Sequence, residues 1–423
     1  MRGRGSTIGA EQGVRAGQRV YTRAFILLFL MEFTIFVTFY MLLPTVPLYI
    51  KDLGGTNSTV GLVIGIAGPI AAFGVPLYGL GVDRWSRKGM AVLGLAINVV
   101  GALIMIFVVS PLMMLLPTIL RRVGSGATGA ATRTLILDIA PPSRRGEAMT
   151  NFATSHNIAI AFGPTMGLWI YNDFGSTQLF IACAALMTGA TLFLFPVKAV
   201  PQGEGARGRP QSSSLPEGDV ERRKETWVDR LIVPEALVPG ITVLLLSAAY
   251  LATTTFVSIL GETREVPNYE WFFVLYAVVV ISGRLLTGRV SDTYGRAIIL
   301  LPSLALTVGC MITLAFTYST IGFLAAAFML GLGFGTGQPM LQAVAADWTP
   351  PEKYGRAMAM MMGGFSFGSA AGTVFVGEVS ERLDFTAAFL GLALTAGVAL
   401  VIALWGFRRR RIPLLVMPER SAA

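Results

Sequence analysis

The chain has 423 residues, of which 54% are hydrophobic and only 13% are charged, about half the charged fraction of an average soluble domain. Its mean hydropathy of +0.66, its 48 glycines and its 26 phenylalanines are typical of a helical membrane protein. This composition excludes an intrinsically disordered chain, and the presence of only two cysteines, Cys183 and Cys310, excludes a disulfide scaffold.

Twelve apolar segments, each long enough to cross a bilayer as a helix, follow one another along the chain. The sequence therefore predicts an all-α membrane protein. The predicted spans cover approximately residues 24–50, 59–78, 89–109, 112–138, 147–171, 178–197, 236–260, 269–290, 297–317, 319–346, 355–380 and 385–406.

Basic residues are distributed unevenly about these spans. With the amino terminus inside, cytoplasmic segments hold 26 of the 33 lysines and arginines, external loops hold three, and four lie inside the membrane. The positive-inside rule then places both termini in the cytoplasm, and we expect a multi-pass protein of the plasma (inner) membrane. Topology thus explains the net charge of +9, and no nucleic-acid partner is expected.

The spans fall into two groups of six, separated by a polar stretch rich in glycine, serine and charge. Such a stretch is typical of a linker. The predicted domains are a cytoplasmic amino-terminal tail (1–23), a six-helix bundle (24–197), a cytoplasmic linker (198–235), a second six-helix bundle (236–406) and a cytoplasmic carboxy-terminal tail (407–423).

Span 1 contains Glu32, the one acidic residue that lies well inside a predicted span. It is about eight residues, or roughly 12 Å, from the inner end. A carboxylate within a membrane is costly and is therefore a functional candidate, because its protonation can be exchanged against substrate or conformation. The alternative is a fixed ion pair between Glu32 and an arginine that sets helix packing.

The connections between spans 2 and 3 and between spans 8 and 9 carry the same charged pattern. In each, an aspartate follows a glycine by four residues, and an arginine follows the aspartate by four more. We predict that the glycines allow close backbone approach and that the arginines pair with aspartates at the inner ends of spans 4 and 10. This inner-gate latch is expected to form when the inner side closes and to break when it opens. Its residues are Gly79, Asp83, Arg84, Arg87, Lys88, Asp138, Gly288, Asp292, Arg296 and Asp347.

Spans 4 and 5 add further polar groups. Arg122 lies near mid-depth, and Arg133, eleven residues later, shares its face after three helical turns. The adjacent Arg121 leaves open which of the two neighbouring arginines faces a cavity. His156, the only histidine, lies in span 5 beside Asn157, and histidine titrates near physiological pH. We predict a proton-coupling or substrate cavity here, although a lone histidine can equally satisfy a neighbouring backbone group.

The second half has fewer such groups. Arg284 in span 8 is interpreted either as a cavity residue or as an anchor of its span. Gln338 and Gln342, one turn apart in span 10, are predicted to face the pathway. Aromatic residues such as Phe36 and Tyr40 are interpreted as packing residues or as lining of an adaptable apolar pocket.

Span 5 also contains a glycine and proline motif formed by Gly163, Pro164 and Gly167. Proline removes a backbone donor and permits a helix bend. We predict a bend where this span meets the other half, with ordinary tolerance of proline and glycine in membrane helices as the alternative.

The two halves repeat at an offset of 209 residues. This single shift superimposes Gly124 on Gly333 and Asp138 on Asp347, together with several further glycine, proline and aspartate positions. Both halves begin on the same side of the membrane, so they are parallel repeats.

With these motifs the chain resembles the major facilitator superfamily, and in particular its twelve-span drug:proton antiporter branch. The span 2–3 loop is similar to the family's G-x-x-x-D-R-x-G-R-K signature, with Ser86 at a usual glycine. Arg122 begins a stretch similar to R-x-x-x-G-x-x-x-A, and the span 5 motif resembles G-P-x-x-G-G with Leu168 as its last residue. Span 1 carries the proline pair Pro44 and Pro47 found in that branch. The resemblance implies two pseudo-symmetric six-helix bundles and a part for Arg122 in proton coupling.

The resemblance also implies a secondary active transporter. The leading interpretation is proton-coupled efflux of small amphipathic molecules by alternating access, and the alternative is a proton symporter that imports a small metabolite, with an anion as one option. An enzyme is disfavoured because the sequence has one histidine and no phosphate-binding glycine loop. We expect no metal site and no cofactor, with the proton gradient as driving force. The expected partners are a small-molecule substrate and the lipid bilayer, and a functional monomer is predicted.

Overall fold

The structure, a computed structural model, describes residues 21–197 and 233–410, and within these ranges its regular elements are helices. The remaining residues of the predicted tails and linker lie outside this description. The first half contains α1 (Arg23–Asp52), α2a (Asn57–Phe73), α2b (Val75–Arg84), α3 (Arg87–Ile106), α4 (Leu115–Ile139), α5 (Arg145–Phe174) and α6 (Ser176–Leu194). The second half contains α7 (Leu237–Thr263), α8 (Trp271–Tyr294), α9 (Ala297–Phe316), α10 (Thr320–Trp348), α11 (Tyr354–Arg382) and α12 (Phe385–Arg409).

These helices follow the order of the predicted spans, and α2a and α2b together form the second span, interrupted at Gly74. The all-α membrane fold is therefore confirmed. Several helices begin at residues whose side-chain oxygen accepts a backbone N–H three positions later, as Ser86 does from Gly89 at 2.8 Å and Asp384 from Ala387 at 2.7 Å. Such caps satisfy amides that the first helical turn leaves without partners.

Eight of the described helices are long and apolar enough by themselves to cross a membrane. The four other spans are α2, α4, α5 and α8, and each has a local feature that sets it apart from the eight. Span α2 is split at Gly74, whereas α4 carries three arginines, α5 carries His156 and Asn157, and α8 carries Arg284. These four spans hold most of the predicted site residues.

Both halves use the same pattern of helix contacts. In the first half α1 packs on α5 and α6, and α3 packs on α4 and α6; in the second, α7 packs on α11 and α12, and α9 on α10 and α12. Close backbone approaches between helices also repeat. A Cβ built on Gly124 would lie 2.6 Å from the carbonyl oxygen of Gly94, and one built on Gly333 would lie 2.9 Å from that of Ser303. Since 94 and 303 also differ by 209, the sequence repeat corresponds to a structural repeat.

We call the face that carries the α2b–α3 and α8–α9 connections the inner face, and the opposite face the outer face. Near the outer face the halves are in direct contact through α2a and α11. The backbone N–H of Asn57 donates to Glu381 Oε2 at 2.7 Å, and the Ser58 hydroxyl donates to Glu378 Oε2 at 2.8 Å. The outer end is therefore closed.

Near the inner face the second and eleventh spans diverge. Segment α2b packs on α3 and α4 of its own half. On this side a Cβ built on Gly79, Gly355 or Gly363 would have no heavy atom within 4 Å. The molecule is thus closed at the outer end and open at the inner end, which is one of the two states that alternating access requires.

Candidate functional site

A cavity of about 440 Å³ lies between the halves at mid-depth and toward the inner face. Its volume is in the range of small-molecule sites. Four of the predicted site residues line it together, and α8 and α10 supply most of the wall. The lining residues are His156, Arg284, Thr287, Thr336, Gln338, Pro339, Met340 and Gln342.

Above this cavity a line of buried phenols connects the two halves. Tyr40 Oη on α1 lies 2.8 Å from His156 Nε2 on α5. The Tyr40 hydroxyl is also a hydrogen-bonding neighbour of Tyr250 on α7, which is in turn a neighbour of Tyr276 on α8. The ring of Tyr250 is held in place by stacking on Phe334, with centroids 3.7 Å apart and planes inclined by 3°.

Sequence reasoning missed Tyr250 and Tyr276, and it treated Tyr40 as a packing residue or as part of the lining of an apolar pocket, without a polar role. A signal was present for one of them, since Tyr250 lies one position from the 209-residue equivalent of Tyr40.

Arg284 bridges the halves at the same depth. Its guanidinium donates to Asn157 Oδ1 on α5, and its Nε donates to the carbonyl oxygen of Gly335 at 3.3 Å. Arg284 therefore fits both of its interpretations, because it lines the cavity and also anchors α8 to its neighbours. Asn157, by contrast, enters the site through Arg284 and is not one of the residues that line the cavity.

Glu32 lies beside the cavity, between α1 and α4, and is only 4% exposed. Thr132 is a hydrogen-bonding neighbour of its carboxyl group and Arg133 is a charged neighbour. Oxygen Oε2 has no hydrogen-bond partner among the described residues, which also record no ion pair for Glu32 within 4.0 Å. The fixed ion pair considered as the alternative is therefore absent from the described part of the chain, where one buried carboxyl oxygen of Glu32 is unsatisfied.

Arg133 connects Glu32 to the histidine. It is exposed on α4, and it is a charged neighbour of both Glu32 and His156. Phe36, one turn after Glu32 on α1, packs edge-on against the His156 ring with centroids 4.5 Å apart. The carboxylate, the guanidinium and the imidazole therefore lie near one another at the cavity edge.

The neighbouring arginines of α4 point in different directions. The Arg122 guanidinium lies over the Phe39 ring, 4.6 Å from its centroid, and has Tyr40 and Tyr250 as polar neighbours. Arg121 instead packs among α3 and α6, where Cys183 is its neighbour. Arg122 is therefore the one that faces the contact between the halves.

The predicted inner-gate latch needs a correction. Arg87 pairs with Asp138, and Arg296 Nε pairs with Asp347 Oδ2 at 3.2 Å, so the predicted partners do meet. Each pair, however, joins elements of one half, and both pairs are intact while the inner end is open. They act as braces within a half and do not break on opening, because both partners move together.

The other latch residues also differ from expectation or lie outside the description. Lys88 Nζ donates to the carbonyl oxygens of Phe195 at 2.8 Å and Val197 at 2.9 Å, so it fastens α3 to the end of α6. Gly79 makes no close backbone approach in this open state. The structure describes no side-chain surroundings for Asp83, Arg84, Gly288 and Asp292.

The glycines of the span 5 motif pack against the first half. Helix α5 runs without interruption from Arg145 to Phe174 with Pro164 inside it. A Cβ built on Gly163 would lie 2.4 Å from Tyr40 Cβ, and one on Gly167 would lie 2.2 Å from the carbonyl oxygen of Met41. The glycines therefore let α5 approach α1 of its own half, as small residues do in membrane helix pairs, while α5 as a whole also contacts α8 of the other half.

The second half contains a counterpart of these α5 glycines that sequence reasoning missed. A Cβ built on Gly368 would lie 1.9 Å from the carbonyl oxygen of Leu244 on α7, and one built on Gly372 would lie 2.2 Å from that of Ala248. Gly372 is 209 residues after Gly163, so the repeat offset was the signal that could have found it.

Comparison with known proteins gives a consistent picture. A family profile described as Major Facilitator Superfamily matches residues 28–270 and 265–416. The chain is similar to the multi-drug resistance efflux pump PmrA homolog of Lactococcus lactis, with 23% identity over 385 residues that cover 88% of this chain and 92% of that protein. It is also similar to multidrug resistance protein MdtG of Klebsiella pneumoniae, with 26% identity over 392 residues, covering 89% and 90%.

Two solved structures share the fold. The nucleoside transporter NupG superimposes with a TM-score of 0.74 at 17% identity, covering 91% of this chain and 100% of that chain. A POT family transporter in complex with 5-aminolevulinic acid superimposes with a TM-score of 0.75 at 13% identity, covering 93% and 97%. At such identities the likeness concerns the fold alone.

Proposed function

Because the chain belongs to the Major Facilitator Superfamily, we propose that it is a transporter that exports small amphipathic molecules in exchange for protons by alternating access. The names of the multidrug relatives support export. The single observation that carries the proton part is Glu32, a buried carboxyl group with an unsatisfied oxygen beside a cavity. The proposal also places the protein in the plasma membrane, with both termini in the cytoplasm.

In this mechanism Glu32 holds the transported proton. An unpaired buried carboxylate is costly, and protonation removes that cost. Arg133 opposes protonation because its positive charge favours the carboxylate. A substrate that shifts Arg133 away from Glu32 therefore promotes proton uptake, and a proton that binds Glu32 frees Arg133 for other partners. Such competition between substrate and proton is sufficient to couple substrate export to proton import.

The substrate binds in the cavity between the halves. Gln338 and Gln342 offer amide donors and acceptors, while Met340 and Pro339 provide an apolar surface. Methionine adapts to ligands of different shapes, and a few polar groups on an apolar wall suit amphipathic molecules.

The tyrosines supply a contact that both halves share at mid-depth. His156 and Tyr40 belong to the first half, whereas Tyr250 and Tyr276 belong to the second. When the halves rock about this level, the Tyr40–Tyr250 contact lies near the pivot. We propose that it maintains the pivot and orients the His156 ring in both states.

One observation favours a second candidate function. Arg284 and His156 line the cavity, and none of its described lining residues is acidic. A cavity with this charge suits an anionic metabolite, which a proton symporter would import.

Inverted membrane vesicles distinguish the two. An amphipathic dye such as Hoechst 33342 and a set of small organic anions are offered outside vesicles whose lumen is acidic. A proton-coupled exporter accumulates its substrate in the acidic lumen, whereas a proton symporter moves it outward. Accumulation of dye that is independent of the pH gradient would overturn the proton part of the proposal.

The coupling role of Glu32 is tested by Glu32→Gln in the same vesicles. We expect gradient-driven accumulation to fall to background, while exchange of labelled for unlabelled substrate continues without a gradient. Glu352→Gln, at an exposed residue that precedes α11, is the matched control and keeps both activities. Gradient-driven accumulation at the wild-type level in Glu32→Gln would assign coupling to another residue.

A further inference from the structure

Arg284 carries a positive charge between the halves at mid-depth, and no described carboxylate balances it. The described residues record no ion pair between Arg284 and a carboxylate. Arg133, the other cationic neighbour of His156, differs in this respect because Glu32 is its charged neighbour. A guanidinium stays charged in proteins, and a charge within a membrane is costly unless it is paired. The missing counter-charge of Arg284 therefore requires an explanation.

Two of the three nitrogens of this guanidinium group are occupied. Nη1 donates to Asn157 Oδ1, and Nε donates to the carbonyl oxygen of Gly335 at 3.3 Å. The third nitrogen, Nη2, has no partner among the described residues, and it is not among the unpartnered polar atoms that are shielded from solvent. Since Arg284 lines the large cavity, this donor is open to it. An anchoring role for Arg284 explains the two occupied nitrogens but not the free one.

The other groups of the wall supply no second charge. Among the eight lining residues Arg284 is the one with a permanent charge, and none is acidic. The hydroxyl groups of Thr287 and Thr336 donate within their own helices, to the carbonyl oxygens of Gly283 and Leu332. The strongest hydrogen-bond donor that the wall offers to a ligand is therefore the free nitrogen of Arg284, because charged donors form stronger hydrogen bonds than neutral ones.

The remaining polar groups of the wall are neutral amides. Gln338 and Gln342, one turn apart on α10, form no hydrogen bond with a described residue. Pro339 and Met340 adjoin them in the wall and are apolar. An amide can donate or accept, so the glutamines suit ligands of several kinds. The charge of the ligand is selected by Arg284, and its apolar part by the surface beside the amides.

We propose that the transported molecules are amphipathic anions, whose acidic head, such as a carboxylate, binds Nη2 of Arg284 while the apolar body lies against Met340. The anion supplies the missing counter-charge, whereas a cation of the same shape is repelled by Arg284. This inference rests on the proposed function, because it takes the large cavity as the substrate site. Of the two kinds of probe in the vesicle assay, it favours the organic anions over the dye.

The test is isothermal titration calorimetry at neutral pH with the purified full-length protein in an uncharged detergent. Three ligands share one apolar body and differ in the charge of the head: naphthoate, naphthamide and naphthylmethylammonium. We expect saturable binding of one naphthoate per chain, about tenfold or more tighter than naphthamide, as for other hydrogen bonds to charged groups. The ammonium compound should bind more weakly than naphthamide. This selectivity is measured on the wild-type protein and so does not depend on any variant.

Two variants assign the selectivity to the cavity. Arg284→Gln removes the charge and should lower the affinity for naphthoate roughly tenfold, with a much smaller loss for naphthamide. Gln342→Glu adds a carboxylate to the wall and leaves the contacts of Arg284 in place, so it should weaken naphthoate and strengthen the ammonium compound. Arg408→Gln, at an exposed arginine of the inner end of α12, is the matched control and should keep the wild-type affinities. Size-exclusion profiles confirm that each variant is folded.

The outcomes are distinct. Equal affinity for the three ligands, tighter binding of naphthamide or of the ammonium compound, or no saturable binding of naphthoate would overturn the proposal. So would a wild-type preference for naphthoate in folded Arg284→Gln and Gln342→Glu proteins. If instead only the exporter proposal fails, naphthoate binds with the expected selectivity but does not accumulate in vesicles with an acidic lumen. Gradient-driven accumulation of the dye without naphthoate binding would keep the exporter and reject the anionic substrate class.

Discussion

The outer and inner ends of the molecule are built from the same pair of spans but behave differently. At the outer end α2a and α11 meet backbone to backbone, since a Cβ built on Gly61 would lie 2.5 Å from the carbonyl oxygen of Thr373, and one on Gly377 would lie 2.5 Å from that of Asn57. At the inner end α2b stays with its own half, and the cavity opens between the halves.

This difference separates what holds each half together from what holds the halves to each other. Charged pairs such as Arg87–Asp138 lie at the inner end and act within one half. Contacts between the halves at the outer end depend on glycine surfaces and on carboxylates at a helix amino terminus. Charge near the inner face should therefore control stability, while close packing near the outer face should control the conformational equilibrium.

The largest effect should follow from breaking an inner brace. Asp138→Asn removes the anion that faces Arg87, in a pair whose side chains are 7% and 10% exposed. Loss of one partner of a buried pair costs about 3–5 kcal/mol of unfolding free energy. The equivalent pair of the second half has side chains 51% and 32% exposed, so Asp347→Asn should cost only about 0–1 kcal/mol. Thermal unfolding in detergent measures both, and equal losses would contradict the distinction.

Gly61→Ala should have the next largest effect. This effect should concern the equilibrium between the states with a closed and with an open outer end. Its Cβ would meet the Thr373 backbone, and overpacking of this kind costs about 1–3 kcal/mol. The closed outer end should open more often, so transport should fall roughly tenfold. An Asn57→Cys reporter, buried at this contact, should react faster with a membrane-impermeant maleimide.

Gly397→Ala is the matched control, because a Cβ built there has no heavy atom within 4 Å. It should leave transport and labelling unchanged. If the two alanine variants behave alike, contact between α2a and α11 does not hold the outer end closed.

Glu381→Gln should produce a smaller shift in the same direction. The Glu381 carboxylate accepts from the Asn57 N–H at the amino terminus of α2a, where negative charge is favoured by about 0.3–1 kcal/mol. The glutamine keeps an acceptor but loses the charge, so labelling of the Asn57→Cys reporter should rise about two- to fivefold. Glu265→Gln, in an exposed outer loop, should have no effect. An unchanged labelling rate in Glu381→Gln would show that its charge does not stabilise the contact.

Gly79→Ala should have the smallest effect. The added methyl group meets nothing in the state described here, and alanine favours a helix over glycine by about 1 kcal/mol. The variant should unfold at the same temperature or slightly higher. If the closed inner end needs a close approach at Gly79, transport should slow by a smaller factor than in Gly61→Ala. A large loss of stability would contradict the open environment.

The sequence predicts the fold well because span length, charge bias and the 209-residue repeat are all properties of single segments or of their order. It also predicts the pairing of Arg87 with Asp138, since both lie at inner ends of adjacent spans. Whether such a pair acts within a half or between halves depends on three-dimensional placement. For that reason the sequence predicts the right partners for the latch but wrongly predicts that they separate when the inner end opens.

The tyrosines and the outer contact were missed for a different reason. Tyr250 and Tyr276 lie in apolar runs where a phenol lowers hydropathy little, so neither gives a charge signal. Gly61 and Gly377 belong to no motif, and a membrane protein with 48 glycines offers many such candidates. Only the packing of α2a on α11 shows which glycines matter.

Most of the wall of the large cavity belongs to the second half, and this affects how the transporter can adapt to new substrates. Seven of its eight lining residues come from α8 and α10, whereas Glu32 and Arg133 belong to α1 and α4. Substitutions on α10 can therefore change which molecules are accepted without touching the residues proposed to handle the proton. When new compounds appear in its surroundings, such a protein can extend its substrate range through single substitutions while the proposed proton coupling stays the same.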